Sequence, residues 1–142
     1  HAGTTRMAVR RDAGVALVKL AAAIEERFPA VVGPRTVWTT GHIALDPSQP
    51  SIVPGGAEML FQFRDTEPAM LATLDSELKA LIEAANKGPC EVSVTGYSES
   101  TPRAMDKRFQ AALTAAAETR APGLHQTMPS GAGHQKARWV AP

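Results

Sequence analysis

In the run AEMLFQFRD, residues 57–65, apolar and polar side chains alternate almost without fault. Ala57, Met59, Phe61 and Phe63 point one way. Glu58, Gln62 and Arg64 point the other, with Leu60 the one apolar residue among them. Successive side chains leave a strand on opposite faces, so this period of two specifies a strand with one buried and one wet face. A half-buried strand needs a layer to cover it, and the flanking segments are read for that layer.

Upstream, DPSQPSIVPGG is dense in proline, glycine and serine and reads as a loop. Before it, Thr36 to Leu45 is a second strand candidate. Strict alternation puts Val37, Thr39, Ile43 and Leu45 on one face and Trp38, Thr40 and His42 on the other. Thr5 to Phe28 reads as a helix, with Leu17, Leu20, Ala21, Ile24 and Phe28 in one apolar stripe and Pro29 as its stop.

Downstream, Asp65 or Thr66 is the expected N-cap of a second helix, with Pro68 in its first turn. Leu71, Leu74, Leu78, Leu81, Ile82 and Ala85 form its stripe, and Lys87-Gly88-Pro89 ends it. Cys90, Val92 and Val94 alternate with Glu91, Ser93 and Thr95 as a third strand. STPRAMD then reads as a linker, and Asp106 to Arg120 as an alanine-rich helix. The order is helix, strand, strand, helix, strand, helix. It predicts an α+β fold, an antiparallel sheet with two helices on one face, followed by a C-terminal helix and loop. Residues 1–99 form the first domain and 100–142 the linker, helix and tail.

The 142 residues carry a formal charge of +1 and few aromatics. Neither property favours a nucleic-acid partner. No apolar run is long enough to span a membrane and no signal peptide is evident. The single cysteine, Cys90, excludes an internal disulfide and a Cys-based zinc site, and the expected location is the cytoplasm. The four histidines, His1, His42, His125 and His134, show no HxxxH, HxH or HxD spacing. From alternation alone Arg64 is a solvated arginine on a wet sheet face, His1 a terminal residue, and Trp38 and His42 packing or interface residues.

HAGTTRMAVRRDAG, SIVPGGAEMLFQFRD and MPSGAGH occur in that order. Together they resemble zinc-dependent amidohydrolases of the aminoacylase/carboxypeptidase superfamily, the group of N-carbamoyl-L-amino acid hydrolases, allantoate amidohydrolases and beta-ureidopropionases. The resemblance runs to about His134 and corresponds to the lid or dimerisation domain and the return to the catalytic domain. It implies a four-stranded, ferredoxin-like lid backed by two helices, homodimerisation and ureido-acid substrates.

It also implies roles for residues. His1 matches a histidine that polarises the scissile carbonyl in a neighbouring subunit's active site. Arg64 matches the arginine that grips the substrate carboxylate. His134 matches a substrate-contacting histidine and Gly133 its neighbour. Ser51 stands where the family usually has a substrate-contacting asparagine. Arg6 replaces the usual proline, and Gln135 an aspartate that would anchor the histidine ring.

The family's zinc ligands and catalytic carboxylate lie outside the matching region. No cofactor is therefore expected for this chain alone, and the expectation is a fragment of such an enzyme, inactive by itself. The alternatives are one piece of an enzyme assembled with other chains, and an autonomous dimeric small-molecule binding or interaction module. The strand that would precede HAGTT in a split βαβ unit is expected to be lost. Its slot would be filled by a second copy, by KARWV (136–140), or by direct pairing of the remaining strands.

Overall fold

A computed structural model describes residues 1–130. The chain falls into two compact units, His1–Tyr97 and Ser98–Pro142. In the first unit, helix α1 (Ala13–Arg27), strands β1 (Val37–Asp46) and β2 (Gly56–Arg64) and helix α2 (Pro68–Ala85) follow one another. In the second, α3 (Lys107–Arg120) is the one helix among the described residues. Both α-helix and antiparallel sheet are present, so the fold is α+β as the periodicities indicate.

β1 and β2 form an antiparallel hairpin, with Val37 opposite Arg64 at one end and Asp46 opposite Gly56 at the other. The covered face of β2 is the one its alternation marks. Met59, Phe61 and Phe63 pack against a core made of Leu20, Ile24 and Phe28 from α1 and the turn after it, and Leu74 from α2. Phe28 is its hub: its fully buried ring meets Trp38, Phe61 and Phe63 edge-on at 5.6, 5.7 and 6.1 Å. Edge-to-face packing of this kind adds to the area each ring buries.

β1 departs from strict alternation. The register shifts between Thr40 and His42, which makes Gly41 a bulge. Trp38 and Thr40 pair with Phe63 and Phe61, and Ile43 and Leu45 pair with Met59 and Ala57, so these four share the helix-covered face. Val37, Thr39, His42 and Ala44 pair with Arg64, Gln62, Leu60 and Glu58 on the other. The extra residue flips the faces halfway along the strand, so Trp38 and His42 lie on opposite sides, contrary to the even period.

Two helix starts also differ from expectation. The segment Thr5–Phe28 is not one helix: a short 3₁₀ turn covers Met7–Val9, Arg10 is extended, and α1 begins after Asp12. The Asp12 carboxylate accepts the N–H of Val15 at 3.0 Å and so outcompetes continuation of the upstream turn. The N-cap of α2 is Glu67, not Asp65 or Thr66, and its side chain makes no capping bond. Asp65 serves the same helix end from two residues back, accepting the Glu67 N–H at 2.8 Å. The C-cap is Asn86.

The third strand does not form. Residues 91–100 take no regular secondary structure, and the sheet has two strands among the described residues. Asn86 takes the place of a ladder partner: its side-chain amide donates to the Val92 carbonyl at 2.8 Å and its oxygen accepts the Val92 N–H at 2.7 Å. Val92 thereby packs on the core from the end of α2 without joining the hairpin. In the second unit α3 is capped by Asp106, which accepts the Arg108 N–H. Its Phe109 and Leu113 remain exposed.

Candidate functional site

His1 opens a tight turn whose atoms converge on it. Its carbonyl accepts the N–H groups of Thr4 and Thr5 at 3.3 and 3.2 Å. The hydroxyls of the same two threonines reach it at 3.2 and 2.9 Å. The ring is fixed as well: the Gly3 N–H donates to Nδ1 at 3.1 Å. An acceptor Nδ1 leaves the proton of the neutral imidazole on Nε2, so the exposed histidine presents an N–H donor outward. Gly3 permits this closeness, because a Cβ there would lie 3.3 Å from both Nδ1 and Cε1 of the ring.

The turn is fastened to the loop joining the two strands. The Ala2 N–H donates to the Ser51 carbonyl at 2.8 Å, and the Ala13 N–H to the Pro54 carbonyl at 3.1 Å. Gly14, buried in the first turn of α1, lies where a Cβ would meet Leu45 and Pro54 at 3.3 and 3.4 Å. His1 and Ser51, far apart in sequence, therefore belong to one neighbourhood at the loop end of the hairpin, with both side chains exposed.

Arg64 ends β2 at the opposite end, on the face away from Phe61 and Phe63. Its guanidinium meets the Gln62 side-chain oxygen through Nε and Nη2 at 3.3 and 3.0 Å. The next residue fixes where the strand stops. Asp65 accepts hydrogen bonds from the Thr36 hydroxyl and the Glu67 N–H, and Thr36 in turn accepts the Gly33 N–H at 3.1 Å. Burial alone would raise the Asp65 carboxyl. The hydrogen bonds from Thr36, Glu67 and Thr66 and the charge of Arg35 outweigh it and hold the group below the usual carboxylate range.

Between the two ends the wet face carries Thr39, Gly41, Leu60 and Gln62 around a shallow depression. His42 and Glu58 lie 3.7 Å apart on the same face. At a rise of about 3.3 Å per residue, the eight steps from Gly56 to Arg64 make the hairpin roughly 26 Å long. The structure thus brings His1 and Ser51 together and keeps Arg64 away from both. Gly133 and His134 lie outside the described residues, as does the KARWV stretch.

A zinc ion requires three or four converging ligands. Among the described residues no group of three His, Cys, Asp or Glu side chains could hold a metal. The two histidine–carboxylate pairs, His42–Glu58 and His125–Glu118, offer two ligands each. The described residues therefore do not offer a zinc centre, and what they present is hydrogen-bond donors and charge. No helix among the described residues is long and apolar enough to cross a membrane.

No family model matches the chain. It is 29% identical over 138 residues to an allantoate amidohydrolase from Escherichia coli (strain K12), an alignment covering 94% of this chain and 32% of that protein. It is 29% identical over 137 residues to an N-carbamoyl-L-amino-acid amidohydrolase from Paenarthrobacter aurescens, covering 94% and 32%. The crystal structure of an amidase of the hydantoinase/carbamoylase family from Burkholderia phymatum superposes with a TM-score of 0.81 at 42% identity, covering 94% of this chain and 33% of that one. The chain spans about a third of the length of the curated relatives it matches. Its sequence and fold are consistent with a domain of this amidohydrolase family.

Proposed function

We propose that this chain is the substrate-binding lid portion of an amidohydrolase acting on N-carbamoyl amino acids or related ureido acids, and that it works as a homodimer in the cytoplasm. Arg64 grips the substrate carboxylate through paired N–H donors, which a planar guanidinium provides and an ammonium does not. His1 uses its Nε2–H to polarise the carbonyl under attack, an electrostatic contribution to the transition state. Ser51 stands beside it as a short polar contact. Zinc and the base that activates water are supplied from outside this segment, so the chain alone binds and orients without turning over substrate.

The observation that carries this reading is the separation of the two groups. A ureido acid is a fraction of the length of the hairpin that lies between His1 and Arg64. Within one protomer the two side chains cannot serve the same molecule. They fit a composite site in which one protomer provides Arg64 and another provides His1 and Ser51.

The arginine role is tested by the substrate's own carboxylate. In the assembled enzyme, R64A should raise KM for an N-carbamoyl amino acid by about 10- to 100-fold, the range expected for losing hydrogen bonds to a charged group. It should leave the poor turnover of the corresponding carboxamide unchanged. Equal damage to both compounds would contradict the assignment.

A further inference from the structure

Arg10 folds back over the His1 turn. A single terminal nitrogen, Nη2, donates to the carbonyls of Ala2 at 2.6 Å and Thr5 at 2.9 Å. These carbonyls flank the residues whose N–H groups fix His1: Gly3 on the ring, Thr4 and Thr5 on the carbonyl. Among the described residues no carboxylate pairs with Arg10, and its Nε is buried without a hydrogen-bond partner. A part-buried guanidinium with an unsatisfied N–H is a costly way to hold a turn together. Its benefit is geometric. Two carbonyls tied to one nitrogen have a fixed spacing, and Arg10 stands just before the Asp12 cap that begins α1. The His1 turn is thereby referenced to helix α1.

We propose that Arg10 is the positioning residue for His1. It holds the turn so that the Gly3 N–H stays on Nδ1 and the Nε2–H faces outward. The functional meaning of this role rests on the reading of His1 as a carbonyl-polarising donor, but the geometry can be read on the histidine ring itself.

The test is the tautomer of His1 in the full chain, followed by nitrogen NMR of the ring, together with amide exchange at Thr4 and Thr5. In the unsubstituted protein the ring is held as the Nε2–H form. In R10A the ring should average between tautomers and the two amides should exchange about tenfold faster, the change expected for one ordinary hydrogen bond. R10K keeps the charge but is one bond shorter, so it should restore the tautomer only in part. R11A, the substitution at the exposed neighbouring arginine, should leave the ring as it is.

A ring unchanged in R10A overturns the proposal, as does equal averaging in R11A. Should circular dichroism show R10A unfolded, R10K decides, and an unchanged ring there is again contradictory. Failure of the proposed function looks different: the ring is released by R10A in a protein whose assembled form binds no ureido acid.

Discussion

At the Arg64 end of the hairpin, position is set by packed side chains; at the His1 end it is set by hydrogen bonds to backbone. Phe63, next to Arg64, lies against the Phe28 ring, and the opposite Trp38 closes on the same ring. Trp38 also donates from its indole N–H to Glu25 on α1 at 2.9 Å. At the other end, the turn from His1 to Thr5 is exposed or half-buried throughout. It is tied down by the Ala2–Ser51 bond, the threonines and Arg10. Packing gives a site that moves only when the domain unfolds. Backbone tethering gives one that can open locally, because few apolar contacts oppose it. This suits the division of labour proposed above: a fixed grip on one group of the substrate and a donor that closes onto another molecule's site.

The largest effect separating the two ends should come from F28A. Removing the hub of the aromatic cluster should cost about 3–5 kcal/mol, a large part of the net stability of a domain this size. Denaturant unfolding should show it directly. A loss below about 1 kcal/mol would mean that the core does not organise the Arg64 end.

D65A comes next. It removes the acceptor for Thr36 and Glu67 and should cost about 1 kcal/mol near neutral pH, as for other helix-start carboxylates. The pH dependence has a definite sign. The folded carboxyl titrates below its ordinary value of 3.8, so its stabilisation is complete above that value. It is lost as pH falls through the lower folded value, and D65A and the unsubstituted protein should converge there. A gap that widens in acid would contradict the assignment.

Breaking the Arg27–Glu77 pair with E77Q should matter less. Its two short bonds join α1 to α2, yet both side chains are reached by solvent. Its effect on unfolding should shrink as salt is raised. At the His1 end, G3A should leave global stability unchanged and still displace the histidine ring, whose two atoms at 3.3 Å must give way. Its signature is a change in the His1 ring resonances without a change in the unfolding midpoint. A lowered midpoint would show that the turn is coupled to the core.

What could be read from the sequence follows the same division. The buried face of β2 and the stripe through Leu20, Ile24, Phe28 and Leu74 are side-chain periodicities, and the structure keeps them. Period two says which side of a strand is apolar but not whether one residue is bulged. Gly41 therefore reverses the second half of β1 with no apolar residue to announce it. Nor does alternation name a partner. Residues 90–95 have the pattern of a strand, but Val92 is taken by the Asn86 amide instead. The N-cap Asp12 carries a readable signal, an aspartate just before the apolar stripe, and it sets the helix start later than Thr5.

Arg10 and Gly3 carried none that would mark them as supports for His1. Their part depends on a fold-back bond and a close approach that only coordinates reveal. Arg64 lies on the polar face that alternation assigned to it, while its distance from His1 depends on the hairpin closing in this register.

The most direct test of the composite site is to mix two impaired forms of the assembled enzyme, H1A and R64A, and to assay them at a substrate concentration far below the raised KM of R64A. If each site takes Arg64 from one protomer and His1 from its partner, every mixed dimer contains one intact site. Random pairing makes half of the dimers mixed, so activity should recover to about a quarter of that of the unsubstituted enzyme. If both residues serve the same protomer's site, every site in the mixture keeps one defect. Activity would then stay at the level of the separate variants, and the proposed division between the two ends of the hairpin would be contradicted.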